Sequence, residues 1–198
     1  PLSAVEDLQL YDMVSNASNI VSAETNLSAQ YCKERTITDY DSSNTSELPA
    51  LLNDEGININ NTNYARQNFV AGNVARTYTE SPETSKTWYS YDAYGRVEWM
   101  IQYVVGLGTK TIDYEYNHIN GLVERVVFQK HKPSEYYVHV YKYNRIGQLT
   151  SVSSGTDSKI VTPQAGYTYY ESGALKRRIL YRPNQGTDYV YNLAGQLK

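Results

Sequence analysis

The chain has a single cysteine, Cys32, in 198 residues. No disulfide framework can therefore form within it, and no histidine near Cys32 in sequence marks a reactive thiol. Cys32 reads as a small hydrophobe. No apolar run approaches the ~18 residues that a membrane helix needs. Phenylalanine and tryptophan occur only twice each. The three histidines, His118, His131 and His139, fall on a turn, a loop and a strand, without the convergent spacing of a metal centre. Charge of one sign is scarce as well. A net charge of −3 and a pI near 5.6 exclude the basic footprint of a nucleic-acid binder. The halves differ: residues 1–75 carry 3 basic and 10 acidic side chains, residues 76–198 carry 15 and 11. The chain begins at Pro1 without an initiator Met and stops at Lys198 inside a repeating pattern, so it reads as an excerpt whose lack of a signal peptide is uninformative.

What the chain does have is tyrosine, 21 copies, 17 of them after residue 75. Tyrosine suits half-buried surfaces, where the ring packs and the hydroxyl finds a polar partner, and it favours strands. Most of these tyrosines belong to a repeat. The stretches YSYDAYGRV (89–97), YEYNHINGLV (114–123), YKYNRIGQL (141–149), YTYYESGAL (167–175) and YVYNLAGQL (189–197) align on Gly95, Gly121, Gly147, Gly173 and Gly195. The glycines are spaced 26, 26, 26 and 22 residues apart. The pairs Tyr89 and Tyr91, Tyr114 and Tyr116, Tyr141 and Tyr143, Tyr167 and Tyr169, and Tyr189 and Tyr191 each place two rings on one face of an extended strand. Asp92, Asn117, Asn144 and Asn192 open a tight reversal by bonding to backbone, and the glycine closes it at positive φ. Copy four has Tyr170 at the turn-opening position, which this turn chemistry leaves unexplained.

After each glycine the chain should return as a second strand. In copy one Val97, Trp99, Ile101 and Tyr103 alternate with polar residues, which predicts one better-buried face. In copy four Leu175, Ile179 and Tyr181 keep that phase and Arg177 interrupts it. The segments 106–110, 130–135, 153–159 and 182–188, rich in Gly, Pro, Ser, Asp and Lys, read as turns at the opposite strand ends. The expectation is an all-β, antiparallel meander of hairpins, one per repeat, forming a curved or spiralling sheet. Tyr94 and Trp99 have no counterpart in the other copies, so any local role of the first copy would fall to them.

The repeated Tyr-x-Tyr-Asp-x-x-Gly-Arg-Val of copy one resembles the YD repeat of Rhs-repeat proteins, relatives of Tc-toxin components and teneurins. The resemblance covers residues 78–198, and the wording around the repeats is similar to Rhs-repeat proteins of the Bacteroidetes. It implies a β-sheet strip coiled into a hollow shell, which in bacterial members often encloses a C-terminal toxin and in teneurins belongs to an adhesion ectodomain. Localisation would then be secreted or cell-surface, and the partners flanking repeats and an encapsulated toxin domain. The self-cleaving core that commonly follows the repeats has no counterpart here, so no catalytic residue carries over.

Residues 1–77 form an Asn/Ser/Thr-rich region, read equally as degenerate repeats or as a non-repeat segment feeding into the sheet, with expected strands at 19–31 and 34–40. A short helix is expected around Glu47–Leu52, capped by Ser46. The N-x-S/T sites at Asn16, Asn26, Asn44 and Asn60 are what such a composition yields by chance. Glu80, Glu83, Asp113 and Glu115 are scattered, and sequence does not place paired acids across a cleft. Gly106-Leu107-Gly108 lacks the context of a phosphate loop. Lys176-Arg177-Arg178 reads as a solvated patch, because neighbours on a strand point to opposite faces. The tyrosine rows read as ladders joining copy to copy. The alternative is an aromatic surface that binds glycan, or a protein partner, as an adhesion module. No catalytic residue, metal or cofactor is assigned, and neither nucleic acid nor membrane insertion is expected.

Overall fold

The computed structural model describes residues 35–43, 46–79 and 85–198. Eleven strands follow one another in a single antiparallel meander, each paired with its neighbours in chain order. They are β1 (Thr36–Tyr40), β2 (Val74–Thr79), β3 (Ser85–Tyr91), β4 (Val97–Val104), β5 (Gly108–Tyr116), β6 (Val123–Phe128), β7 (Tyr137–Tyr143), β8 (Leu149–Gly155), β9 (Thr162–Tyr169), β10 (Leu175–Leu180) and β11 (Gln185–Asp188). The linear strand order leaves the sheet open, not closed into a barrel. Cys32, the expected strand at 19–31, Glu80, Glu83, Asn16, Asn26 and Asn44 lie outside the described residues. Asn60 sits in a single 3-10 turn (Ile59–Asn61).

The turns opposite the glycines are shorter than their composition predicts. Gly108–Lys110 already belong to β5, Ser153–Gly155 end β8, and Gln185–Asp188 form β11. Backbone pairing overrides the low strand preference of these small residues, because they lie against an existing strand edge.

The alternation after each glycine needs a correction. Each return strand holds one extra residue: Glu98, Glu124, Thr150 and Lys176 have no partner where the register shifts. These are β-bulges, two residues opposing one, three positions after each glycine. In copy one the bulge sets Val97 out of phase with Trp99. Val97 packs with Val70, Ala75, Tyr89 and Tyr91, whereas Trp99, Ile101 and Tyr103 pack in another cluster. The interruption at Arg177 has the same origin.

That second cluster is the main core, and a strap outside the repeats completes it. Helix α1 (Glu47–Asp54) presents Leu48, Leu51 and Leu52 at helical spacing, with acidic Glu47 in its first turn. Ser46 occupies the N-cap without a side-chain capping bond, and the helix runs two residues past Leu52. It ends in a Schellman motif at Gly56 (φ 74°), where Gly56 N–H donates to Asn53 O and Ile57 N–H to Leu52 O, both at 2.9 Å. Leu48, Leu52, Ile57 and Tyr64 bury against Trp88, Trp99 and Ile101. Ion pairs hold the strap at both ends, Glu47 with Arg76 (2.8 Å) and Lys86, and Glu55 with Lys132. Glu55 also accepts from Thr109 N–H at 2.9 Å. The hydrogen bond from Lys132, then that from Thr109, holds its carboxyl below the usual range.

Leu52→Ala should destabilise the chain by about 2–5 kcal/mol, the cost of a cavity under a strap that cannot collapse onto it. Leu193→Ala, at a fully exposed tip, should change stability by less than about 0.5 kcal/mol. Urea denaturation followed by tryptophan fluorescence measures both, since Trp88 and Trp99 sit beneath the helix.

Candidate functional site

The repeated feature of this molecule is the seam between successive hairpins, and each motif residue has a distinct place in it. All five motif glycines adopt positive φ: Gly95 76°, Gly121 71°, Gly147 84°, Gly173 87° and Gly195 77°. Asp92 Oδ1 accepts from the N–H groups of Tyr94 (2.9 Å) and Arg96 (3.0 Å). Asn144 and Asn192 repeat this with Ile146 and Gln148, and with Ala194 and Gln196. Asn117, in the copy with one extra residue, accepts from Ile119 and Asn120. Tyr170 has no such side-chain acceptor. Its turn closes on backbone alone, with Tyr170 N–H donating to Ala174 O and Gly173 N–H to Tyr170 O, both at 2.9 Å.

The second tyrosine of each of the first four pairs reaches backwards across the sheet. Tyr116 Oη donates to Val97 O (2.8 Å), Tyr143 Oη to Val123 O (2.9 Å) and Tyr169 Oη to Leu149 O (2.8 Å). Each acceptor is the residue two after the preceding copy's glycine. Tyr91 Oη does the same to Val74 O at 2.8 Å, and Val74 lies two after Gly72, whose φ is 76°. The turn at 68–73 therefore stands where an earlier copy's turn would, without Tyr-x-Tyr to betray it in the sequence. Tyr191 makes no such bond and packs edge-on against Tyr170 at 6.2 Å.

A second tie joins the turns. The residue after each of the first three motif glycines extends over the next copy's glycine. Arg96 Nη1 approaches Gly121 O at 3.4 Å, and Gln148 Nε2 donates to Gly173 O at 3.0 Å. Leu122 Cδ1 lies over Gly147, 3.6 Å from where a Cβ would stand. Arg96 also pairs with Asp92 (2.6 Å) and lies 4.2 Å from the ring centre of Tyr116. Burial works to raise the Asp92 pKa. The hydrogen bonds from the Arg96 side chain and from the N–H groups of Arg96 and Tyr94 outweigh it, so the carboxyl lies below the usual range. Copy four has Ala174 at this position and cannot reach copy five. There Tyr170 Oη donates to Tyr189 O at 2.9 Å, which supplies a copy-to-copy contact at the residue that departs from the motif.

The first tyrosines are arranged differently from stacked ladders. Register places Tyr89, Tyr114, Tyr141 and Tyr167 on one face. A return strand separates each from the next, so they stand two strand spacings apart, about 9–10 Å. Among the described residues no ring contact joins them. Burial, followed by the hydroxyls of Tyr141 and Tyr89, raises the pKa of Tyr114. Tyr189 lies just beyond β11. Tyr94 and Trp99 separate completely: Tyr94 is an exposed turn tip, whereas Trp99 is fully buried and donates to Asn63 O at 3.0 Å.

The chemistry weighed from sequence finds one real cluster. Asp113, 2% exposed, accepts from Tyr64 Oη at 2.5 Å and Asn63 Nδ2 at 3.1 Å. Burial, then the Asp113 charge, pushes the Tyr64 hydroxyl far up, so it serves as a permanent donor. His131 packs edge-on against Tyr64, and burial lowers its pKa. This network ties the strap to β5. Sequence reading missed it because its partners lie about fifty residues apart. Among the described residues no group of three or more His, Cys, Asp or Glu side chains could hold a metal, and no helix is long and apolar enough to cross a membrane. Arg177 pairs with Asp188 at 3.2 Å on the surface, while Lys176 lies over the Tyr170 ring.

No family model and no curated protein matches the chain. Among solved structures, a chain of the TcdB2-TccC3-Cdc42 crystal structure is similar over 65% of this chain, with a TM-score of 0.53 and 16% identity. The matched part spans only 7% of that chain. A Tc holotoxin pore of Photorhabdus luminescens carrying a TccC3 point mutation matches 66% of this chain and 10% of its own, at 14% identity and a TM-score of 0.26. The first likeness is one of fold.

Tyr116→Phe and Tyr143→Phe should each cost about 0.5–1.5 kcal/mol, the net worth of one hydrogen bond, and Tyr94→Phe nothing measurable, by urea denaturation. The depressed Asp92 pKa gives a stabilisation that is present above the unfolded value near 3.9 and lost as pH falls through the folded one. Asp92→Asn keeps the turn acceptor and removes the charge. The stability difference between the two proteins, measured by urea denaturation from pH 7 to pH 2, should therefore shrink with acid.

Proposed function

We propose that this chain is a non-catalytic wall segment of a large Rhs-type protein, one whose β-sheet shell encloses a C-terminal toxin domain. The observation that carries the reading is the open meander, in which β1 and β11 each keep one unpaired edge among the described residues. Exposed edges of this kind invite pairing with any other strand, and flanking repeats of the same polypeptide would close them. The Rhs-like repeat wording and the fold likeness to a Tc-toxin chain support the same conclusion, and with it a secreted or surface location. In this reading residues 78–198 are five YD repeats, the last incomplete. Residues 1–77 lead into them and supply the strap that seals one face of the first repeats. The motif tyrosines, turn residues and glycines act as seam residues, and no cofactor takes part. The second reading, a surface adhesion module, draws on a polar groove of about 520 Å³ lined by Arg125, Lys130, Glu115 and Asp157.

Hydrogen exchange tests the wall assignment. In the parent polypeptide the outer-edge amides of β1 and β11 should exchange at least about tenfold more slowly than in the 198-residue chain. A segment C-terminal to the repeats should also resist protease until denaturant opens the shell. Equal exchange in the two contexts, or immediate cleavage of that segment, would refute the assignment.

A further inference from the structure

At the first motif junction the chain holds a cation of its own. The Arg96 guanidinium lies 4.2 Å from the ring centre of Tyr116, the second tyrosine of the next copy. It pairs with the Asp92 carboxylate at 2.6 Å and approaches Gly121 O at 3.4 Å. Ring, carboxylate and carbonyl together make a guanidinium site. Leu122 and Gln148 fill the same place at the next two junctions, 3.6 and 3.5 Å from where a Cβ on Gly147 and Gly173 would stand.

The fourth junction keeps the walls of that site without the side chain that fills it. Ala174 stands at the position of Arg96, and nothing lies within 4 Å of where a Cβ on Gly195 would stand. A groove of about 610 Å³ opens there, within the range of small-molecule sites, about 300–1,000 Å³. Tyr191, the counterpart of Tyr116, forms one wall. Tyr170 forms another, with the two rings at 84° and their centres 6.2 Å apart. Gly195 lines the groove as the counterpart of Gly121, and Glu171 brings a carboxylate one residue along from the position of Asp92. Among the described residues lining the groove none is basic. Lys176, which stands 5.7 Å from the Tyr170 ring centre, is not part of the lining.

The lining decides what fits. Two aromatic rings and a carboxylate favour a cation. A guanidinium suits them better than an ammonium: it is flat and weakly hydrated, so it can lie on a ring while its N–H groups donate at the edge to carboxylate and carbonyl. Val190 and Leu193, both exposed, line the same groove and offer apolar surface to an alkyl stem.

We propose that this groove binds a small alkylguanidinium molecule, which takes the place that the Arg96 side chain takes at the first junction. The assignment does not depend on the shell reading, since it compares two junctions of one chain.

The test is titration of the ¹⁵N-labelled chain with n-butylguanidinium chloride. Neutral n-butylurea and n-butylammonium are the controls, and the blocked tripeptide acetyl-Gly-Arg-Gly-amide presents the same group on a peptide. n-Butylguanidinium should saturate at millimolar concentrations and shift amides lining the groove, and both small controls should bind at least about threefold more weakly. Glu171→Gln and, separately, Tyr191→Leu should each weaken binding about threefold, the loss of one exposed charge or ring contact. Ala174→Arg should abolish saturation and raise the urea midpoint, whereas Ala174→Ser should leave the affinity unchanged. The proposal fails if n-butylguanidinium does not saturate, if n-butylurea binds equally well, or if Glu171→Gln and Ala174→Arg both keep wild-type affinity. Saturation by the tripeptide alone would also overturn it, by placing the guanidinium on a protein partner. Edge-strand exchange in the parent polypeptide tests the wall assignment by itself, so the two readings fail separately.

Discussion

A phenolic hydroxyl donating to a carbonyl one hairpin away is the interaction on which the rest of this architecture depends. Backbone pairing alone defines a meander only loosely, because a strand can slip along its neighbour while keeping its hydrogen bonds. With side chains alternating at period two, a slip of one residue would turn every ring to the wrong face. The hooks from Tyr91, Tyr116, Tyr143 and Tyr169 prevent this by tying the end of each outgoing strand to the start of the previous return strand. Each is worth little in net free energy. Their effect lies in specifying one register among several of similar stability.

The bulge and the hook are parts of one device. The extra residue at Glu98, Glu124, Thr150 and Lys176 lets the residue just before it keep company with the tyrosines, while the strand beyond continues with its other face inward. In copy one the strap uses that second face. The chain's only two tryptophans lie under the helix there, and the buried Asp113 binds Tyr64 and Asn63 from above. A sheet built solely of repeats would leave this face half-wet, so the strap encloses the larger of the two hydrophobic clusters found among the described residues.

Features that depend on local chemistry were legible in the sequence. In the first four copies Tyr-x-Tyr announced strands, whereas Tyr189 and Tyr191 of the fifth fall beyond β11; the Asp or Asn with its following glycine announced the turns, and the spacing announced one hairpin per copy up to the fourth. Features that depend on distant partners were not. A bulge requires counting two residues against one on a strand whose register is unknown, and the polar residues at the bulge look like ordinary alternation. Because of it, Val97 and Trp99 seemed to share a face. The hook acceptors are backbone carbonyls, which carry no residue signature. Degenerate repeats in residues 1–77 were one reading of the sequence, but the turn at Gly72 could not be placed because its own tyrosine pair is missing, and the hydroxyl of Tyr91 reveals it. Stacked tyrosine ladders were expected from same-face periodicity, but the return strand between copies holds the rings apart.

Two ties of different kind also account for where the motif can vary. The hook acts at the strand end and the post-glycine side chain at the turn, so one can weaken while the other holds. Leu122 can stand where Arg96 and Gln148 stand, since it needs only to cover the next glycine. Asparagine can replace Asp92, since the turn needs an acceptor and not a charge. The fourth junction departs on both counts, with Ala174 too short to cover Gly195 and Tyr191 without a hook. There Tyr170 has changed roles, giving up the turn acceptor and joining copy five through its own hydroxyl and ring. Repeat arrays are stabilised as a sum of nearest-neighbour terms, so a junction that loses both standard ties needs a substitute at that junction. Tyr170 is the departure from the motif that provides one.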